Sequence, residues 1–520
     1  MKYLALVAAC LAAAPALAPA PEHGDGFKSI TEDDLEAHLI QLCTAPLEGR
    51  DTPSAGLTRA AAYIAAEFEE LGLTPPEGAA DYYLPFSQAA QVPVPEESRL
   101  SVRIEGAEEA RTFDYGAEFV PAPYCGGRGE GPPVFVGFGI SSKKEKYDDL
   151  KGDSLKGAVA VILEGEPRHR KRFDGPEVTS AADLYSKLSD LYREKVEGVI
   201  VVRREPEDDG AAKARDRPEP ATLGFRHTWA SWASDRPRTP PGIGMPVVEV
   251  SHAVAAEILG FDLEPLAAKI DRSGKPIRKE TEGRTVSVAS MAREGQPAVD
   301  NVVGLLAGSD PALADEYVIV GAHYDHVGVD MRGRIGYGAD DNASGTAGML
   351  EIAGALAAAQ PRRSVLLCAF AGEEDGLNGS RALAQRLPVP RDAVVAMINL
   401  DMIGRGDAAE VAVLGIVQNP DLEKVLDRAK RLKSTRVKKV VVRQGEHLFT
   451  RSDHFSFHEI GIPVLFFFEG LPETQNKDYH TWRDTIDKLD LDKMERTSRL
   501  AYNAAWLLAN DDDRPPAPRD

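Results

Sequence analysis

The chain of 520 residues has little cysteine: four residues, Cys10, Cys43, Cys125 and Cys368. None sits in a CxxC spacing, which excludes a zinc site built on paired thiolates and a disulfide-built scaffold. A Cys43–Cys125 bridge is left open. Positive charge is the minority sign. Lys and Arg number 61 against 82 Asp and Glu, for a net charge of -21. Such a surface repels phosphate backbones, so no nucleic-acid partner is expected. The acidic excess is spread along the chain and is not an acidic tail. Beyond the N-terminus there is no run of 18 apolar residues, hence no expected membrane span. No internal repeat is visible. What remains is a soluble globular composition, 43% hydrophobic and 28% charged, long enough for a large core and about two to four domains.

The first residues, MKYLALVAACLAAAPALAPAPEHG, place one lysine before an apolar stretch and then small residues. That is the pattern of an export signal over residues 1–20. It implies a periplasmic or extracellular protein. Val7-Ala8-Ala9-Cys10 also resembles a bacterial lipobox, a route to a lipid anchor. Residues 30–75 read as helical, with Ala60–Phe68 rich in helix formers and a stop near Gly72. SRLSVRIEG alternates as a strand does. The texture changes near Cys125. Short strands follow (VFVGFGI, AVAVILEG, EGVIVVRR, MPVVEVS), with helical SAADLYSKLSDLYREK and HAVAAEILG among them. They suggest a small β-rich module over 126–283. Inside it, 205–243 reads as a long Pro-, Arg- and Asp-rich loop carrying Trp229 and Trp232. Packing of that loop on its own module is the expectation, with a wall of a substrate cleft as the alternative. The flanks, 28–125 and 284–510, form the other domain, and 511–520 reads as a disordered tail.

From about 285 the pattern is α/β. YVIVGA, SVLLCAF, VVAMINL and IPVLFFF are apolar throughout, as strands buried on both faces of a helix-covered, mostly parallel sheet are. Polar residues follow these strands: His323-Tyr324-Asp325-His326, Gly338-Ala339-Asp340-Asp341-Asn342, Gly372-Glu373-Glu374-Asp375, Asn399-Leu400-Asp401 and, late in the chain, Tyr479-His480-Thr481. The C-terminal edge of such a sheet is where ligand sites form. Each fragment alone has a commonplace reading, whether surface loop, acidic turn or helix cap, and Asp340 is a natural cap. Together they deliver two imidazoles and several carboxylates from five loops. That donor set suits Zn²⁺, with Mn²⁺ or Co²⁺ as substitutes. One ion needs about three protein ligands, and two ions sharing a carboxylate would use five. Asp325, two residues along from His323, is placed to accept the ring's second N–H. A turn at Glu373-Glu374 would let one bind metal and the other act as a base.

The segments VIVGAHYDHVG, GADDNASG, FAGEEDGLNGS, INLDMIG and YHTWRDTID resemble the di-zinc aminopeptidase family that includes bacterial leucyl aminopeptidases, aminopeptidase Y and glutamate carboxypeptidases. The resemblance covers about 30–125 and 285–510. The insert resembles, less specifically, a protease-associated domain. The resemblance implies the zinc exopeptidase fold and two zinc ions per chain. Asp341 would bridge them, Glu374 and His480 would complete one, and His323 and Asp401 the other. Glu373 would be the general base, Asp325 would orient His323, and Tyr479 would help hold the oxyanion. Ser452, Asp453 and His454 would shape or buttress the site. His326, His447 and His458 receive no role. Trp482 stands where many relatives carry proline, which bears on loop shape and not on the ligand.

The implied reaction is metal-assisted hydrolysis of an N-terminal peptide bond, with peptide or protein N-termini as substrate. The same scaffold also carries one-zinc glutaminyl cyclases, non-catalytic receptors, and carboxypeptidases for acidic C-termini. The last would need a basic pocket, for which Arg443, Arg451 and Arg483 are the candidates.

Overall fold

The computed structural model describes residues 23–122, 126–169, 172–173, 179–203, 228–229, 244–330, 334–470 and 476–518. Residues 1–20, Cys10, Cys125 and Trp232 lie outside them.

Eight strands make the central sheet: β1 (Tyr83–Ser87), β2 (Ala298–Leu306), β3 (Tyr317–His323), β4 (Ser364–Phe370), β5 (Val394–Leu400), β6 (Glu410–Leu414), β7 (Lys439–Val441) and β8 (Val464–Phe468). Their order is β1-β2-β4-β3-β5-β8-β6-β7. The ladders β4/β3, β3/β5, β5/β8 and β6/β7 are parallel, and the other three are antiparallel. The sheet is therefore mixed, with four of its seven ladders parallel. Alternation within each strand feeds two cores. Val318 and Val320 join Val365, Leu367 and Ile398 on one face. Ile319 joins Leu366, Cys368 and Met397 on the other.

Helices α1 (Glu32–Leu42), α2 (Ala55–Glu70), α3 (Gly345–Ala359) and α4 (Leu491–Asn510) cover the first face. Their starts are written in the sequence. Thr31, Ser54 and Asp490 each accept from the backbone N–H three residues on. Trimming one of these buried leucines or isoleucines to alanine costs about 2–5 kcal/mol.

Between Ser87 and Ala298 the chain leaves this sheet on a ribbon, Ala90–Pro93 paired antiparallel with Ala292–Gly295. The excursion holds a four-stranded sheet and a six-stranded one. The latter runs Arg278–Glu280, Pro133–Val136, Val159–Leu163, Gly198–Val202, Val247–Val250, Phe119–Pro121, with its four inner strands parallel. Helices Leu184–Arg193, His252–Leu259 and Glu264–Ser273 accompany it. The insert carries the expected short strands and both expected helices. One expectation is corrected: its boundary falls before 126, because Arg99–Ile104 pairs with Arg284–Ser290 and Phe119–Pro121 pairs with Val247–Val250. The change of texture at Cys125 marks a turn inside the module; the ladders that define it join residues far apart in sequence.

Of the long loop over 205–243 only Thr228–Trp229 lies within the described residues, and it pairs in parallel with Val329–Asp330 of the other domain. One further expectation changes. The tail expected to be disordered is tied down through residue 514. Asp511 pairs with Arg428, Asp512 with Arg362, and Arg514 donates to the carbonyls of Asp392 and Val394. Cys43 and Cys368 are free thiols. Among the described residues no helix is long and apolar enough to cross a membrane.

One buried cation ties the site-bearing segments together. Arg50, 1% exposed, donates to the carbonyls of Tyr324, Tyr337 and Gly338 at 2.8, 2.8 and 2.9 Å, and to Leu42. Replacing it strands buried acceptors that cost about 1–3 kcal/mol each. Arg50→Met is expected to lose about 3 kcal/mol of stability, read as a lower denaturant midpoint; an unchanged midpoint would show that those carbonyls find other donors.

Candidate metal centre

Three neighbouring strands end side by side. β3 ends in His323, β4 ends at Phe370 just before Glu373-Glu374, and β5 ends at Leu400 just before Asp401. Across from them, the segment Ala339–Ser344 departs from helical geometry at Asp341 and Asn342 before α3 begins. The Asn342 side chain bonds the backbone N–H of Gly345 at 2.8 Å and of Met402 at 3.1 Å. It thereby fastens the start of α3 to the end of β5. Asn342 does the capping expected of Asp340. His480 arrives on a late loop with φ 52.

These loops converge on one pocket. His323 Nε2 lies 3.5 Å from Asp341 Oδ1, 3.4 Å from Asp401 Oδ1 and 4.0 Å from Glu373 Oε2. His480 Nε2 lies 3.0 Å from Asp341 Oδ2 and 2.8 Å from Glu374 Oε2. Asp341 thus offers one oxygen to each imidazole and stands between two donor sets. Ligand atoms of His323, Glu373 and Asp401 all lie within 4.8 Å of one another, as do those of His326, Asp341 and Glu374. A third acidic group, Glu32, Asp492 and Glu495, is instead engaged by arginine: Arg436 lies 2.7 Å from Asp492 and 2.6 Å from Glu495.

The donors fit a cation. Asp341 Oδ2, Asp401 Oδ1 and His480 Nε2 are buried and have no hydrogen-bond partner. Electrostatics agree. Burial raises Glu373, His323 opposes this, and the Glu374 and Asp401 charges add to it, leaving Glu373 well above the usual carboxylate range. Burial also raises Asp341, with Glu374 next. Burial works against Glu374 too, but His480 and His326 hold it well below its ordinary value. For His480, burial is outweighed by Glu374 and Asp341, and the imidazole is pushed up to about 10. His323 is raised well above its ordinary value, with Glu373 and Asp401 overcoming burial.

The supports explain how adjacent residues take different roles. The Asp325 carboxylate lies 3.4 Å from His323 Nδ1, and the same ring nitrogen bonds the Asp325 carbonyl at 3.3 Å. Asp325 also accepts from the Thr52 hydroxyl and the backbone N–H groups of Glu373 and Glu374, at 3.1, 3.3 and 3.4 Å. It thereby shapes the turn that sends Glu373 toward His323 and Glu374 toward His480. Asp484 accepts from the backbone N–H of Asp340 and Asp341 and from Arg405, at distances between 3.0 and 3.1 Å. Asp340 turns away, accepting from Gly404 at 2.9 Å and from Asn476 at 3.0 Å. Of the two aspartates, it is Asp341 that faces the imidazoles.

The remaining candidates fall as follows. The Tyr479 ring stacks on His480 at 3.8 Å, and burial with Asp341 and Glu374 nearby keeps its hydroxyl protonated. Ser452 accepts from Asn399 at 2.7 Å. Burial raises Asp453 to about 7 and lowers His454, stacked 4.5 Å from Phe466, to about 3. His447 is exposed, and His458 packs edge-on to Phe449. Arg443 pairs with Glu423 and Arg483 with Asp478, while Arg451 is exposed. Trp482 is flanked by the guanidinium groups of Arg334 and Arg483 at 5.4 and 5.9 Å. Sequence reasoning missed Arg50, Thr52, His326 and Asp484. Only Asp484 carried a signal, four residues after His480 in the quoted motif.

The raised imidazoles set a sign for metal uptake. A group whose folded pKa is raised stabilises the fold fully below its unfolded value, near 6.5, and loses that contribution as pH rises through the folded value, about 10 for His480. An imidazole binds metal only when it is neutral, and a carboxyl ligand or base acts only when it is ionised. Zinc binding to the metal-free chain is therefore expected to release protons at pH 7, measured by calorimetric titration in buffers of different ionisation enthalpy. Binding without net proton release would contradict the charge balance above.

Comparison with known proteins places this geometry. The profile described as Peptidase family M28 matches residues 301–505, which include every ligand candidate. A probable leucine aminopeptidase of Arthroderma otae is 33% identical over 205 residues, covering 38% of this chain and 56% of that protein. A probable zinc metalloprotease of Pyrenophora tritici-repentis is 29% identical over 255 residues, covering 41% and 52%. The chain thus spans about half the length of these curated relatives. Among solved structures, the aminopeptidase from Aneurinibacillus sp. strain AM-1 aligns over 96% of this chain and 99% of its own, with 19% identity and a TM-score of 0.46. The zinc aminopeptidase of Bacillus subtilis aligns over 93% and 96%, with 20% identity and a TM-score of 0.46. Over residues 301–505 the chain is similar to Peptidase family M28.

Proposed function

We propose that the chain is a two-zinc aminopeptidase, cleaving the first peptide bond of peptide or protein N-termini. The observation that carries this reading is Asp341, whose two carboxylate oxygens face His323 on one side and His480 on the other. His323 and Asp401 would hold one ion, Glu374 and His480 the other, and Asp341 both. Bound zinc supplies positive charge that acidifies water and polarises a carbonyl.

The protein's own groups do the rest. Glu373 lies in the same cluster as His323 and Asp401, but its Oε2 is 4.0 Å from His323 Nε2, farther than Asp341 Oδ1 at 3.5 Å or Asp401 Oδ1 at 3.4 Å. Once cations balance the pocket, its carboxylate is the base that takes the proton of the attacking water and passes it to the leaving amine. The protonated Tyr479 hydroxyl donates to the developing oxyanion. The acidic pocket attracts the protonated α-amine of a substrate, which restricts cleavage to the chain end.

Hydrolysis of aminoacyl-nitroanilides is expected to be abolished by a chelator and restored by zinc. Glu373→Gln is expected to keep its zinc content while kcat falls about 10²–10⁴-fold. Near-normal turnover of that variant would remove Glu373 from the mechanism.

We also infer that residues 1–20 direct export and that the insert is a protease-associated domain. Expression in a bacterial host followed by N-terminal sequencing of the periplasmic fraction is expected to find the chain shortened near Ala18–Ala20; recovery of the intact chain only from the cytoplasm would refute the export reading.

A further inference from the structure

His326 is the residue at this centre that the ligand set leaves over. It is fully buried. Its Nδ1 lies 3.0 Å from Glu374 Oε1 and 3.8 Å from Asp341 Oδ2. His480 approaches the same Glu374 carboxylate from the other oxygen, Oε2, at 2.8 Å. Two imidazoles, with ring centroids 5.7 Å apart, therefore divide one carboxylate between them. His326 Nε2 is buried without a hydrogen-bond partner. The ring cannot swing easily. A side-chain carbon on Gly338 would sit 2.5 Å from His326 Cγ, so the glycine there leaves just the space the ring fills. The His326 backbone N–H is tied to the Arg50 carbonyl at 3.1 Å.

We propose that His326 is a positioning residue for Glu374. Its ring donates from Nδ1 to Oε1 and leaves Oε2 to the ion shared with His480. The proton belongs on Nδ1 because an ionised carboxylate only accepts. Fixing one oxygen stops the carboxylate from rotating or swinging away, and so pre-sets the geometry of that ion's site. It does for a carboxylate what Asp325 does for His323, and partners of this kind carry much of a metal site's affinity. The inference rests on the two-ion reading of the preceding section.

The test compares zinc binding to the full chain and to His326→Leu, His326→Asn and His326→Gln, by calorimetry and metal analysis, with unfolding midpoints of the metal-free proteins alongside. The amide nitrogen of asparagine overlays Nδ1; that of glutamine overlays Nε2. His326→Leu is expected to bind one ion as the unaltered chain does and the other about 10–100-fold more weakly. His326→Asn is expected to return to within about threefold of the unaltered chain, and His326→Gln is not. If the leucine variant does not fold, the asparagine–glutamine difference decides, since both keep polarity and bulk. Wild-type affinity for both ions in His326→Leu, or asparagine no better than glutamine, overturns the positioning role. Complete loss of one ion in all three variants makes His326 a ligand and also overturns it. An unaltered chain that binds fewer than two ions sinks the two-ion reading itself, and this inference with it.

Discussion

Four carboxylates, Asp341, Glu373, Glu374 and Asp401, are brought within a few ångströms of one another in a pocket nearly closed to water. Burying one unpaired carboxylate is costly, and burying several compounds the cost through mutual repulsion. The imidazoles of His323 and His480 answer part of that charge, and the unpartnered oxygens of Asp341 and Asp401 show what is left unanswered. Such a pocket does not arise as a by-product of packing. It persists because the surrounding fold is stable enough to hold groups together that repel one another, and its donor set is one that a cation would complete. The same repulsion explains why adjacent glutamates differ: the one facing two imidazoles stays ionised, while its neighbour is pushed toward the neutral acid.

The holding is done mainly through the backbone. The parallel ladders β4/β3 and β3/β5 fix the heights at which His323, Glu373 and Asp401 emerge. Three buried groups then tie down the loops. Arg50 takes the carbonyls of Tyr324, Tyr337 and Gly338. Asp325 takes the amides of Glu373 and Glu374. Asp484 takes the amides of Asp340 and Asp341. In each case a charged side chain satisfies main-chain groups that the irregular loop cannot satisfy internally. That is why the ligating side chains are left with so few hydrogen bonds of their own.

Much of this was legible in the sequence, because strands buried on both faces announce themselves as unbroken apolar runs and their polar successors mark one sheet edge. His323, Asp341, Glu373, Glu374, Asp401 and His480 follow from that rule together with the resemblance, and the structure brings them together. The rule stops where alternation stops. His326 comes after β3 has ended, so its direction depends on a bend that no periodicity encodes. Arg50 lies in a segment with left-handed residues at Glu48 and Arg50, and nothing local marks it as a clamp. The insert boundary was misplaced for a related reason: Arg99–Ile104 looks like any alternating strand, and its partner is near residue 284.

The insert is joined to the metal-bearing domain by more than its ribbon. Arg203, at the end of an inner strand of the six-stranded sheet, pairs with Glu249 of the neighbouring strand and approaches Glu48 at 3.8 Å, two residues before the Arg50 clamp. The backbone at Thr228–Trp229 pairs with Val329–Asp330, a few residues past His326. One contact ends on the segment that carries Arg50, the other on the loop that follows His323, Asp325 and His326, and Arg50 joins the two segments through the Tyr324 carbonyl. A ribbon alone would leave the insert free to swing about the sheet edge. Two additional attachments near the clamp instead restrain it against the metal-bearing domain.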